Sequence, residues 1–246
     1  MSEDWLLEAA GGNAGLLATM RQRVQQGEPP AYVAGFLYFR GRRFRSDPRA
    51  YVTDPELSSL IDRVLMEGDR FEAEYGRAPQ VLDFGVGAGT LGITLKLERP
   101  AWTLCGLDID ADALSLAAEN ASLHGVELPL WHSDMLSGWP QGRPPPDLIF
   151  GDPPWGSETD LYTDEGRDAD YYHRMPAASA YPKGGRTAIH DGLVAAVVAR
   201  GWPSLLVLNY GVLPEAVIER SARALNQRRI EHPVPGVSHL VGRSAA

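Results

Sequence analysis

One cysteine, Cys105, stands in a chain of 246 residues. A single thiol excludes an internal disulfide framework and a zinc centre built from several cysteines. Its neighbours Thr103, Leu104, Gly106 and Leu107 read as a strand, so Cys105 is expected to be a buried filler and not a nucleophile. Long apolar runs are missing too. Nothing reaches the roughly 20 residues of a membrane span, and the opening MSEDWLLEAA is acidic where a secretory signal would be basic. The expected setting is therefore cytoplasmic, with no membrane partner. Positive charge is scarce, at 23 Lys and Arg against 32 Asp and Glu, for a formal net charge of -9. That balance disfavours nucleic acid, whose binding rests on cations meeting phosphates. The local exception, residues 40–45 (RGRRFR), reads as a solvated face.

What is present is the composition of a globular protein, long enough for one substantial core with at most a small appendage. Residues 4–26 suggest short helices interrupted by Gly11, Gly12 and Gly15, the second striped by Leu16, Leu17, Met20 and Val24. A cap so small is expected to pack on the main domain, over a ligand. Residues 27–44 predict a turn and then a hairpin around Arg40 and Gly41. Asp54 as N-cap and Pro55 at the first helical position predict an amphipathic helix over 55–75.

From there apolar strands at 81–84, 104–107, 128–132, 148–150 and 205–208 alternate with helices at 91–97, 111–124, 192–200 and 214–225, and strands at 229–233 and 238–241 close the chain. The alternation predicts an α/β fold: a doubly wound, Rossmann-like, seven-stranded, mostly parallel sheet, with room for an antiparallel closing pair. Two units are expected, a helical cap with a hairpin linker (1–50) and a ligand-binding catalytic domain (51–246). Residues 156–186 lack periodicity but hold Tyr162, Tyr171, Tyr172, His173 and Tyr181, and are expected to order over a pocket. His190, beside Asp191 before a helix, reads as a cap or surface group.

Two corners carry chemistry. In DLIFGDPPW (147–155) a buried strand runs into two prolines that can neither donate to a ladder nor continue it, so the chain leaves the sheet at Asp152. Strand ends of this kind are where open α/β sheets bind ligands. In VLDFGVGAG (81–89) a strand turns through Gly85, Gly87 and Gly89 into a helix, as backbone that approaches a ligand closely must. A dinucleotide fingerprint would place its third glycine at position 90, where Thr90 stands. Asp108, 25 residues beyond Asp83, ends the next strand beside Ile109, where a carboxylate can accept from two ribose hydroxyls of either NAD or S-adenosylmethionine. Asp134 is placed to accept from an adenine amino group, and the Met135 backbone to donate to the ring.

The GxGxG spacing after Asp83 resembles motif I of the class I S-adenosylmethionine-dependent methyltransferases. DPPW, at the end of the fourth strand, resembles the [ND]PP[YFW] motif of superfamily members that methylate amino and amide nitrogens. That resemblance implies S-adenosylmethionine as cofactor and no metal. It also implies roles for Asp152, Pro153, Pro154 and Trp155: an acceptor side chain and the first proline carbonyl orient the nitrogen, and the ring stacks on its planar group. GEPPAYVAG, AYVTDPELSSL, LDIDADALSLAAENASLHGV and GGRTAIHDGL then follow in the order found in the HemK-like family, the protein release factor glutamine methyltransferases. The similarity covers residues 27–210. Departures from that pattern are a shorter N-terminal helical part, Asp152 in place of Asn, and Trp155 in place of Tyr.

An anionic acceptor holds an amine more tightly than a neutral one does. The expectation is therefore an N-methyltransferase acting on a small molecule or amino acid, closed over by Tyr171, Tyr172 and His173. The alternatives are a release factor glutamine amide, a cyclase that consumes the cofactor and releases methylthioadenosine, a nucleic-acid adenine methyltransferase and a non-catalytic cofactor binder.

Overall fold

Gly11 and Gly12, both at positive φ, end the first helix, α1 (Ser2–Ala10). Asn13 opens the next, α2 (Ala14–Gln25), by accepting from Leu16 N at 3.0 Å. Gly15 lies inside α2 and interrupts nothing. The computed structural model describes residues 2–157 and 172–243. Where the prolines suggested only a turn, Pro30 at the N-terminus starts a short helix, α3 (Pro30–Ala34), since its missing N–H costs nothing there. Leu6, Ala10, Met20 and Val33 form a small cluster between these helices, and Trp5 reaches the main core.

Strands β1 (Phe36–Phe39) and β2 (Arg42–Arg45) pair antiparallel across Arg40 and Gly41, at φ 47 and 76. Two left-handed residues match the twist of a tight hairpin. Leu37, Phe39 and Phe44 are buried in the main core, so the hairpin is bolted to the sheet-bearing part of the molecule. The basic run is not a bare solvated face. Arg40 pairs with Glu98 and Asp62, Arg42 with Glu98, and Arg45 with Glu119.

After a single 3-10 turn at Pro55–Leu57, α4 (Ser58–Tyr75) buries Leu60, Ile61, Val64 and Leu65. The regular helix starts three residues later than predicted, because the Asp54 side chain does not cap it. The sheet contains β3 (Gln80–Phe84), β4 (Thr103–Asp108), β5 (Leu130–His132), β6 (Leu148–Gly151), β7 (Leu205–Asn209), β8 (Gln227–Val234) and β9 (Val237–Arg243). Its order is β5-β4-β3-β6-β7-β9-β8, with β3 to β7 parallel and β9 antiparallel to both neighbours. The predicted doubly wound α/β fold is thus observed. Helices α5 (Thr90–Glu98), α6 (Ala111–His124), α7 (Ala177–Ala180), α8 (Ala188–Ala199) and α9 (Glu215–Ala224) complete the described elements.

Period-two alternation divides the core. Val81, Leu104, Leu148, Phe150 and Val207 pack with α4, α5 and the hairpin on one face. Leu82, Cys105, Ile149, Leu206 and Leu208 pack with α8 and α9 on the other. Cys105 is 2% exposed, and burial pushes its thiol up to about 11. Buried Asn120 of α6 accepts from Arg45 N at 2.8 Å and donates to Arg45 O at 3.1 Å and Ala88 O at 2.9 Å, tying the hairpin to the glycine loop. Among the described residues no helix is long and apolar enough to cross a membrane.

Chain order reverses between β3 and β6. Both strands discharge their loops at the same end, which opens the crevice where ligands of such sheets bind.

Candidate active site

The glycine loop leaves β3 with Gly85, Gly87 and Gly89 at φ 70, 53 and 79, a path closed to ordinary side chains. Gly85 N and Val86 N donate to Leu107 O at 2.9 and 3.0 Å, and Gly87 N to Asp108 Oδ2 at 2.8 Å. A Cβ built on Gly85 would meet nothing within 4 Å, because it would project into the open cavity that Gly85 and Gly87 line. Below the loop, Asp83 is 1% exposed and accepts from Gly92 N at 2.9 Å. Gly92 is needed there, since a Cβ would stand 2.8 Å from Asp83 Oδ2. Burial pushes Asp83 up to about 8, opposed by the Gly92 N–H and aided by the charges of Asp108 and Asp152.

Asp108 is raised by burial and pulled back by backbone donors, Asp110 N at 2.9 Å on Oδ1 and Gly87 N on Oδ2. The Ile109 backbone also donates to it, and with about four acceptor sites the carboxylate keeps capacity for a further hydroxyl. Ile109 beside it is 54% exposed, an apolar face turned to the same cavity. Exposed Asp134 and half-buried Met135 line the same cavity. Met135 is held at φ 50, with Ser133 Oγ donating to its carbonyl at 2.8 Å.

At the second corner β6 passes so close to β3 that a Cβ on Gly151 would stand 2.3 Å from Phe84 O. Asp152 follows, and its Oδ1 accepts from Asn209 Nδ2 at 2.7 Å. Burial pushes Asp152 up to about 6, against the pull of that donor. Asn209 ends β7, with its Oδ1 accepting from Gly211 N at 3.1 Å and its carbonyl bonded to His190 Nε2 at 2.8 Å. His190 is therefore not a cap or surface group. It is fully buried, its ring tilted against Tyr210 with centroids 4.4 Å apart, and lowered to about 4 by burial. Pro153, Pro154 and Trp155 line the cavity, and the Trp155 indole lies on the Gly211 backbone.

The aromatic segment arrives only in part. Tyr172 is 8% exposed and lines the cavity with Tyr181, whereas exposed His173 bonds Tyr181 Oη through Nδ1 at 2.9 Å and is not part of the wall. Tyr171 and Tyr162 lie outside the described residues. Nor does the N-terminal cap cover the ligand cavity, whose lining begins at Arg49. Asn209 escaped the sequence reading although it shares part of the signal used for Asp152, a polar residue at the carboxyl end of a parallel strand; it lacks the prolines and aromatic ring that follow Asp152.

Residues 63–166 match the methyltransferase small domain. The release factor glutamine methyltransferase of Lactococcus lactis subsp. lactis (strain IL1403) is 31% identical over 147 residues, 60% of this chain and 51% of that protein. Over this stretch the chain is similar to the HemK-like class I methyltransferases. The ribosomal protein uL3 glutamine methyltransferase of Xanthomonas campestris pv. campestris (strain ATCC 33913 / DSM 3586 / NCPPB 528 / LMG 568 / P 25) is 37% identical over 155 residues, 61% of this HemK-like chain and 48% of that protein. The chain thus spans about half the length of the curated relatives it matches. A T. thermophilus 16S rRNA N2 G1207 methyltransferase solved with AdoMet and guanosine shares the fold, with a TM-score of 0.56 at 15% identity over 85% of this chain and 50% of that one.

These relatives overturn the expectation of a small-molecule or amino-acid acceptor, since they act on glutamine in release factor and ribosomal protein. The error lay in reading Asp152 as a free anion seeking an amine. One oxygen is already committed to Asn209, so only the other is left to face a substrate. The other oxygen accepts from an amide N–H as well as an Asn carbonyl would.

Proposed function

We propose that this HemK-like protein transfers a methyl group from S-adenosylmethionine to the side-chain amide nitrogen of a glutamine residue in a protein. The reading is supported by Asp152 and Pro153 lining the same cavity as the glycine loop, together with the glutamine methyltransferases among its relatives. The residues fit the cofactor. Asp108 retains acceptor capacity for a ribose hydroxyl, Ile109 offers an apolar face for the adenine, Asp134 and Met135 line the same cavity, and Gly85 and Gly87 leave room for the rest. When bound, S-adenosylmethionine supplies a methyl on a sulfonium and departs as the thioether S-adenosylhomocysteine.

The protein's task is then positioning. An amide nitrogen has its lone pair delocalised into the carbonyl and attacks poorly. Asp152 Oδ2 and Pro153 O would accept its two hydrogens, turning the nitrogen towards the methyl, while Trp155 stacks on the amide plane. Once the new N–C bond has formed, the nitrogen sheds one proton. Asp152, near 6, is chiefly ionised at neutral pH and can take it before passing it to water.

The test is incubation of the purified protein with S-adenosylmethionine and intact release factor or ribosomal protein, read by mass spectrometry of the glutamine peptides. One added methyl on a glutamine amide, with stoichiometric S-adenosylhomocysteine, is expected. Methylthioadenosine released without any acceptor would sink the proposal, as would methyl transfer to nucleic acid alone.

A further inference from the structure

We propose that Asn209 is a positioning residue that divides the two oxygens of Asp152 between tasks, holding Oδ1 in the fold and leaving Oδ2 for the substrate amide. The inference rests on the glutamine methyl transfer proposed above. Asn209 is gripped at three points: its Oδ1 accepts from Gly211 N at 3.1 Å, its carbonyl meets His190 Nε2 at 2.8 Å, and its Nδ2 donates to Asp152 Oδ1 at 2.7 Å. Because a backbone donor claims the Asn209 oxygen, the amide cannot turn over, and its NH2 end must face Asp152. Among the described residues, the titratable groups near Asp152 are Asp83 on β3, and His190 on α8 held neutral behind Asn209. None of these offers Asp152 a cation. Among the described residues the Asn209 amide is the side-chain donor that holds its carboxylate.

Donor and acceptor polarity makes the idea testable. Asp152→Asn alone restores the family's residue, yet its carbonyl must then turn to the Asn209 NH2, which leaves its own NH2 facing the substrate hydrogens. Asn209→Asp alone sets two carboxylates at hydrogen-bond distance. The double exchange, Asp152→Asn with Asn209→Asp, reverses the pair: the amide at 152 donates to the carboxylate at 209 and keeps its carbonyl for the substrate, and Gly211 N still finds an acceptor.

Each single exchange is expected to lower kcat by about 10- to 100-fold, with S-adenosylmethionine affinity by calorimetry little changed, and the double exchange to recover most of the loss. Asn209→Ala, which removes the donor without adding charge, should move the acid limb of the rate to higher pH. A wild-type rate from Asp152→Asn alone, a double variant as slow as the slower single, or an unmoved acid limb would each overturn the assignment. Wild-type turnover on a glutamine substrate is judged separately. If it is absent, the function reading falls, and the pairing is decided by thermal unfolding: recovery of the midpoint in the double variant upholds it, and additive losses refute it.

Discussion

Replacing Asp83 by Asn should remove a slope in the protein's stability against pH. In the native state burial holds this carboxyl at about 8, whereas in an unfolded chain it titrates near ~3.9. Between those values the native state keeps a proton that the unfolded state has shed. Unfolding therefore releases a proton, and stability falls as pH rises, by up to about 1.4 kcal/mol per pH unit for one group. From about pH 6 to about pH 7.5 the wild type should lose roughly 2 kcal/mol relative to Asp83→Asn, whose carbonyl can still accept from Gly92 N. His190 and His239 push the other way, because burial holds each near 4 and the native state is weakened as pH falls through the unfolded imidazole range. They are common to both proteins and cancel in the difference. Urea unfolding of the cofactor-free pair at a series of pH values reads that difference. Parallel curves would mean that Asp83 is ionised in the native state, and the burial argument would fail.

Asp108→Ala should weaken S-adenosylmethionine binding by about tenfold or more, since a carboxylate paired with hydroxyls contributes at least ~1.5 kcal/mol. Asp152→Ala should retain most of that affinity while losing turnover, and the reverse pattern in calorimetry would exchange the two roles. The wild-type rate should fall as pH drops below about 6, where Asp152 protonates and its free oxygen becomes a donor; a pH-rate profile flat through that range would contradict it. Gly211→Ala should lower stability by about 1–3 kcal/mol, because its Cβ would overlap the Trp155 indole at 2.2 Å on a backbone held at φ 52. A shifted Trp emission should accompany the loss, and an unchanged unfolding midpoint would count against the packing.

The sheet was legible because its strands are short, apolar and separated by helices with readable ends. Asp110 caps α6 through Asp112 N, and Gly125 closes it in the left-handed region, as their types foretell. The Asp83 loop and Asp108 were legible for a similar reason: local backbone demands residue types at fixed spacing. Partners brought together from distant chain positions left no such trace. The Asn209–Asp152 bond joins residues 57 apart, and only the parallel pairing of β6 with β7 makes them neighbours. The same blindness misplaced His190, whose burial depends on Tyr210 and Asn209, and made Asp152 read as a lone charge.

Asn120 gives the molecule a mechanical property. One side chain, fully buried, clasps both backbone groups of Arg45 and the carbonyl of Ala88, so the hairpin acts as a strut against the loop that faces the cavity. A pull on the chain ahead of Phe36 is transmitted through β2 to the glycine loop without passing through the sheet. Cutting the chain after the hairpin would leave Asn120 to hold Ala88 without the strut behind it, so the loop would lose stiffness even though every residue that lines the cavity remained.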